Sequence, residues 1–452
     1  MIQEERVKVL NNKAFNKGEY VLYWMQRAQR ANYNHALEFA IEKANTFKQP
    51  VVVYFGLTDS FPEANLRHYY FMLEGLQETK EELEKRGVKF ILRREDPTEG
   101  IVELAKDSSL LLVDGGYLEV ERKWRDEVAS KVDIPCFEVE TDIVVPVEVA
   151  SNKEEYAAYT IRKKINSNLD RFLIPLKERK VAYSSLDLEI ESLELEDVNG
   201  LINTLDIDRS VAKIAKFKGG NSEAKKWLKI FIDQKLEKYE DLSSHPDKDY
   251  QSNLGPYLHF GQISPLYVAL KVKKSNKKGK EDFLEQLIVR RELSYNFVYY
   301  NDKYNKSLKG IIPDWAWKTL EDHKGDTREY IYTKIQLEEA KTHDPYWNAA
   351  QKELLLSGKI HGYMRMYWGK KILEWTSTPQ EGFETALYLN NKYSLDGRDP
   401  NGFAGVAWCF GKHDRAWTER DIFGKVRYMN AKGLERKFDI DTYLKKIGDE
   451  NR

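Results

Sequence analysis

Cysteine is nearly absent from this chain: Cys136 and Cys409 are the two among 452 residues. Two thiols exclude a disulfide framework and a cysteine-built structural zinc site, and they favour a reducing, cytoplasmic compartment. Long apolar runs are also missing. No stretch approaches 18 uncharged apolar residues, so no membrane span is expected. The opening residues, MIQEERVKVLNNKAF, alternate charges without an apolar centre and do not read as a signal peptide. Histidine is sparse: of the eight, none of His259, His343, His361 and His413 has a second histidine at ligand spacing. An all-protein metal site is therefore not expected.

What remains is a soluble globular chain, 41% hydrophobic and 32% charged, long enough for two or three domains. Its net charge of −1 hides an asymmetry. Residues 1–210 hold 29 Lys and Arg against 39 Asp and Glu, whereas residues 211–452 hold 43 against 34. A basic C-terminal half suits a polyanion held by phosphate contacts and counterion release, although the same excess spread over 242 residues also describes an ordinary surface.

Short apolar runs at 20–25, 50–57, 88–93, 110–115 and 135–140 alternate with helical patterns at 33–47, 65–86, 97–107 and 119–131. That alternation predicts an α/β domain over 1–150, a doubly wound parallel sheet of Rossmann-like type. No G-x-G-x-x-G follows the first strand, so a ligand here is expected at the carboxyl ends of the strands, at a topological switch point. Residues 151–222 read as a charged interdomain linker with helical pieces. From 223 to 452 the strand signal disappears, and helical patterns recur at 223–238, 281–300, 333–341, 345–357, 360–375 and 379–391. An all-α C-terminal domain follows. KVKKSNKKGK (271–280) reads as a solvated basic loop.

Three stretches in the helical half carry chemistry. SNLGPYLHFGQIS (252–264) sets small and polar residues before an aromatic helix, which can offer backbone N–H groups to phosphates. KTHDPYWNAAQKELLLSGKIHGYMRMYWGKKILEW (341–375) is dense in Trp, Tyr and Met, with Trp368 and Trp375 two helical turns, about 10 Å, apart on one face. LDGRDPNGFAGVAWCFGKHDRAW (395–417) mixes turn residues, acids, arginines and tryptophans. Spacing alone favours core packing for the tryptophans and a structural ion pair for Arg365 and Asp396.

These stretches, and nearly the whole chain from YWMQRAQR to HDRAW, resemble the class II photolyases of the photolyase and cryptochrome superfamily. The resemblance implies an N-terminal α/β domain for an antenna chromophore and a helical domain that binds FAD and DNA. It implies light-driven electron transfer from reduced FAD to cyclobutane pyrimidine dimers in damaged DNA. By resemblance, Tyr239, Ser252, Asn253, Leu254 and Gly255 cradle the FAD ribityl and phosphates. Arg365 and Asp396 form an ion pair beside the isoalloxazine, and Asn390 faces the flavin N5. Trp368, Trp347 and Trp375 form an electron relay in that order from the flavin outward. Met366 and Trp408 line the dimer pocket, with Arg290 beside it. For the antenna site the resemblance leaves open a deazaflavin, a folate, a flavin or no chromophore at all, with no fingerprint selecting one, and a monomer is expected.

Three positions depart from the pattern. Gln286 stands where the family has a pocket glutamate, and keeps a donor and an acceptor without the ability to ionise. Arg290 stands where some members place a second pocket tryptophan, and Ser243 and Ser244 where some carry an Arg-Asn pair. A flavin-based blue-light photoreceptor, or a repair-impaired homologue, is therefore the alternative reading. A nucleotide-binding α/β protein with an unrelated helical appendage is a third.

Overall fold

The five apolar runs are strands and the patterns between them are helices. The computed structural model describes residues 2–449. Strands β1 (Val7–Val9), β2 (Tyr20–Trp24), β3 (Val51–Leu57), β4 (Lys89–Arg94), β5 (Ser108–Asp114) and β6 (Cys136–Val139) form one sheet in the order β1-β6-β5-β2-β3-β4. Helices α1 (His35–Phe47), α2 (Leu66–Lys85), α3 (Pro97–Ala105) and α4 (Glu119–Lys131) make the crossovers. Strands β2 to β6 pair in parallel. Helices on both faces bury β2 and β5 completely, which is why they read as unbroken apolar runs rather than alternating ones.

One sheet edge is a short strand and the other is covered. The unforeseen β1 pairs antiparallel with β6. Three residues, VKV, are too short for a periodic signal. At the other edge the connector lies along β4: Leu193 N–H donates to the Leu92 carbonyl at 2.7 Å, and Leu92 N–H donates to Ser192 Oγ at 3.0 Å. Covering an edge strand removes a template for pairing with other chains.

The expected linker is packed on both halves. Leu195, Ile202 and Leu205 enter the core beside the sheet. Ile161 and Ile165, on a helix Ala158–Asn166, and Phe172 enter a core of the helical half. The two halves are pinned by the start of α2. Arg67 donates to the carbonyls of Leu354 (3.2 Å), Leu355 (2.6 Å) and Tyr393 (2.6 Å). These carbonyls belong to the last turns of helices Pro345–Ser357 and Pro379–Tyr393, where a cation is favoured by the orphaned C=O groups.

After Val139, no strand longer than an isolated bridge occurs among the described residues. Several helical patterns need correction. The run at 223–238 is an α-helix, Asn221–Ile230, followed by a π-helical turn, Phe231–Lys235, and a 3₁₀ turn. The run at 281–300 is broken by a second π-helical turn, Glu285–Arg290. A 3.6-residue pattern cannot distinguish one wide turn inside a helix. Lys271 to Lys273, assigned to a loop, end the helix Pro265–Lys273, and helix Lys334–Glu338 is shorter than expected. Helices Asp314–Asp322, Pro400–Cys409, Ala431–Lys437 and Ile440–Asp449 were not foreseen. The apolar residues of Pro400–Cys409 are small and its opening is glycine-rich, which masked the periodicity.

Candidate cofactor and substrate site

A cavity of about 330 Å³ opens between the short helix Gly255–His259, the π-helical turn Glu285–Arg290, the helix Gly362–Trp375 and the turn before Pro400. Six of the residues nominated from sequence line it: Tyr239, Ser252, Gly255, Gln286, Arg365 and Asp396. Phe283, Leu287 and Leu258 give it apolar walls. Apolar walls with converging polar and charged groups are what a cofactor pocket requires. Gly255 has a steric reason to be glycine, because a Cβ there would stand 2.3 Å from Asp396 Oδ2.

Other nominated residues support the wall instead. Asn253, at φ +60°, accepts a bond from Lys359 Nζ at 2.5 Å, and Leu254 is buried beneath. Arg365 donates through Nη1 to Asn390 Oδ1 at 2.8 Å, whereas its Nη2 lies 3.8 Å from Asp396 Oδ1. The guanidinium is thus anchored first to the amide and only loosely to the carboxylate. Asp396 is also fixed by Ser394 Oγ at 2.7 Å.

The cavity's far wall holds residues that sequence reasoning missed: His259, Arg291 and Asp399. His259 Nδ1–H donates to Asp399 Oδ2 at 3.0 Å, and Arg27 from the loop after β2 bonds the same oxygen. Arg27 and Arg291 also share Asp142, at 3.2 and 3.1 Å. Burial opposes the Asp399 charge, but Arg27, His259 and Arg291 outweigh it and hold this carboxyl well below the usual range. Burial likewise keeps His259 neutral against the pull of Asp399. Each charge sits on a different element, so no local pattern marks the cluster. Asp399 reads from sequence as the helix cap it also is, accepting from Asn401 N–H at 2.9 Å.

His259 and Arg27 line a second cleft, at the carboxyl ends of β2, β3 and β5, where the chain turns to opposite sides of the sheet. This is the expected switch-point position. Its walls are Trp24, Phe55, Phe61, Tyr69 and Trp124. Around it, both amide atoms of Gln26, Oε1 of Gln29 and two guanidinium nitrogens of Arg398 are buried without a hydrogen-bond partner. Buried polar atoms of this kind are rare without a ligand or water to satisfy them. Asp114 ends β5 and holds the β2 loop in place, accepting from Gln26 N–H at 2.8 Å and Arg27 N–H at 3.3 Å.

The three nominated tryptophans touch. Trp347 lies between the others, its ring centroid 6.4 Å from Trp368 and 5.7 Å from Trp375. Trp368 Nε1 donates to Gln351 Oε1 at 2.8 Å. Trp375, expected outermost, is only 2% exposed. Its indole does not reach solvent, because His343 and Tyr332 pack on it at 5.2 and 5.4 Å, and the exposed Tyr330 stacks on His343 at 3.7 Å. Arg290, Trp408 and Met366, expected at the dimer pocket, are not among the residues that line the cavity. Arg290 sits over the Trp408 ring at 6.0 Å, and Met366 Sδ is 4.0 Å from Cys409 Sγ.

Residues 21–181 match the family model described as DNA photolyase. A deoxyribodipyrimidine photo-lyase from Methanothermobacter thermautotrophicus is 52% identical over 449 residues, covering 99% of this chain and 99% of its own. One from Potorous tridactylus is 39% identical, covering 98% of this chain and 84% of its own. Among solved structures, a class III photolyase from Agrobacterium tumefaciens superposes with a TM-score of 0.73 at 17% identity, covering 96% of this chain and 87% of that one. An archaeal photolyase from Sulfolobus tokodaii, solved with two FAD molecules, gives 0.72 at 16%, covering 94% and 89%. At those identities the two structures show the fold.

Proposed function

The chain belongs to the DNA photolyase family, and we propose that it is a class II member repairing cyclobutane pyrimidine dimers in DNA by light-driven electron transfer. We take 1–150 as the antenna domain, 151–222 as the connector and 223–452 as the catalytic domain. The observation that carries the reading is the juxtaposition of an arginine-lined cofactor cavity with three contiguous tryptophans on adjacent helices.

The cavity suits FAD: Ser252 and the Asn253–Gly255 backbone face where its phosphates would lie, and Arg365, Asn390 and Asp396 where its ring would lie. Reduced FAD, excited by blue light, supplies the electron that splits the dimer and receives it back. Arg365 favours the anionic form of a nearby ring by direct attraction. Trp368, Trp347 and Trp375 carry electrons inward from the surface, and the buried Trp375 receives them past the Tyr330, His343 and Tyr332 rings. Trp408 offers a flat wall to the extruded pyrimidines, with stacking worth about 1–3 kcal/mol per base. Gln286 donates and accepts at the cavity wall.

The aromatic cleft at the switch point holds the second chromophore, a flat heterocycle whose ring amides satisfy Gln26 and Gln29. A deazaflavin, a flavin or a folate meets that requirement. No helix among the described residues is long and apolar enough to cross a membrane. A cytoplasmic monomer with one open DNA-binding face completes the proposal.

Blue illumination of the reduced holoprotein with a dimer-containing oligonucleotide tests this function. Light-dependent loss of the dimer supports it. Loss no greater than in a protein-free control overturns it in favour of a photoreceptor.

A further inference from the structure

The pocket carries a neutral amide where substrate charge must be borne, and the structure shows what stands beside it. Gln286 and Arg290 lie four residues apart on the π-helical turn Glu285–Arg290. Such wide turns concentrate at functional sites, since the added residue re-aims the side chains that follow. Gln286 lines the cofactor cavity, and Arg290 extends from the same turn over the face of Trp408.

Arg290 is not neutralised by its own surroundings. Its Nε is 3.4 Å from a Glu285 carboxylate oxygen, but that carboxylate is already held by Arg162 through Nε at 3.1 Å and Nη2 at 2.7 Å. Arg162, Glu285 and Arg290 together carry one excess positive charge. It sits at the pocket rim, half-buried, where water screens it less than on an open surface. Trp408 adds a second feature: its Nε1–H is buried and donates to nothing. A buried indole N–H normally has an acceptor, and this one belongs to a wall of the proposed dimer pocket.

We propose that Arg290, with the Trp408 Nε1–H, carries the negative charge of the electron-loaded pyrimidine dimer, a task that Gln286 meets only with a neutral amide. This rests on the repair function proposed above. The dimer's carbonyl oxygens gain charge when the electron arrives, and the guanidinium fork and the indole N–H are donors that strengthen as it develops. No bond to either residue forms or breaks. The electron comes from the flavin and returns to it.

Arg290→Gln and Arg290→Lys, each in the reduced holoprotein, separate charge from shape. Dimers repaired per absorbed photon are measured at saturating oligonucleotide, beside dark affinity for dimer-containing and undamaged DNA. The flavin absorption spectrum verifies folding. Arg290→Gln is expected to lower repair per photon by about tenfold, with Arg290→Lys recovering much of it. In the double variant, Gln286→Glu is expected to restore part of the yield, more at acidic than at alkaline pH because the new carboxyl acts as a donor only when protonated. Unchanged repair per photon in Arg290→Gln overturns the proposal, as does weaker dark binding with an unchanged yield, which makes Arg290 a phosphate anchor. A parent protein that repairs nothing while binding flavin and dimer overturns the underlying function instead, so the two failures are distinguished.

Discussion

The indoles of Trp347 and Trp368 are parallel to within 4°, and Nε1 of Trp347 donates to the backbone carbonyl of Trp368 at 3.0 Å. One hydrogen bond therefore fixes the spacing of two rings on different helices. A ring in the core needs only burial, whereas a hopping partner needs a fixed distance and orientation. Replacing Trp368 or Trp347 by Phe should keep FAD bound and slow photoreduction of oxidised flavin by about tenfold or more, since a step of the relay is lost. Time-resolved absorption after a blue flash reads this directly. Unchanged photoreduction in both variants would refute the relay.

A side chain at Gly255 fits only if the Asp396 carboxylate moves. In Gly255→Ala the new Cβ meets Oδ2 at 2.3 Å, and Asp396 must turn away from Ser394 and Arg365. Affinity for FAD is expected to fall by about tenfold, equivalent to about 1.4 kcal/mol, with little change in the far-ultraviolet circular dichroism. Fluorescence titration of the apoprotein with FAD measures it. An unaltered affinity would show that the loop does not touch the cofactor.

Arg67 joins the α/β half to two helix ends of the other half. Arg67→Ala leaves three carbonyls without this donor, two of them at one helix terminus. The expected loss is roughly 2–4 kcal/mol, since charged hydrogen bonds are removed from a mostly buried site. The apparent thermal midpoint and limited proteolysis of the interdomain region check it. A midpoint equal to that of the parent would mean that other contacts carry the junction.

Glu292 links stability to pH. Burial is the main influence and pushes its carboxyl up to about 8, although Val144 N–H donates to it at 2.6 Å and Arg291 is near. Between the ordinary value of 4.5 and about 8, the folded chain binds a proton that the unfolded chain has released. Stability should then fall as pH rises through that window. Glu140, pushed up to about 7 chiefly by burial, adds to the lower part. Glu292→Gln should flatten the profile of apparent midpoint against pH. A variant that keeps the parent's slope would assign it elsewhere.

How much of this was legible in sequence depended on the range over which each signal acts. The sheet was legible because β2, β3 and β5 are buried on both faces and bounded by turns, so their apolar runs state their own role. The short β1 and the π-helical turns were not, since neither leaves a period to detect. The motifs SNLG, GYMRMYW and LDGRDPNG nominated Ser252, Gly255, Arg365 and Asp396 of the cavity lining, because each motif delivers its side chains from one element. They did not nominate Arg27, His259, Arg291 and Asp399 as a cluster, because those residues come from four elements, the first and last 372 positions apart.

The sequence by itself determined the family, the α/β and helical halves, and the supply of indoles and arginines. Tertiary structure alone decided that Trp375 is shielded from solvent, that Arg365 is anchored on Asn390 more closely than on Asp396, and that Arg290 keeps an uncancelled charge beside Trp408. Charge and exposure at a point are sums over everything within a few ångströms. A chain read in one dimension lists the contributors without their distances.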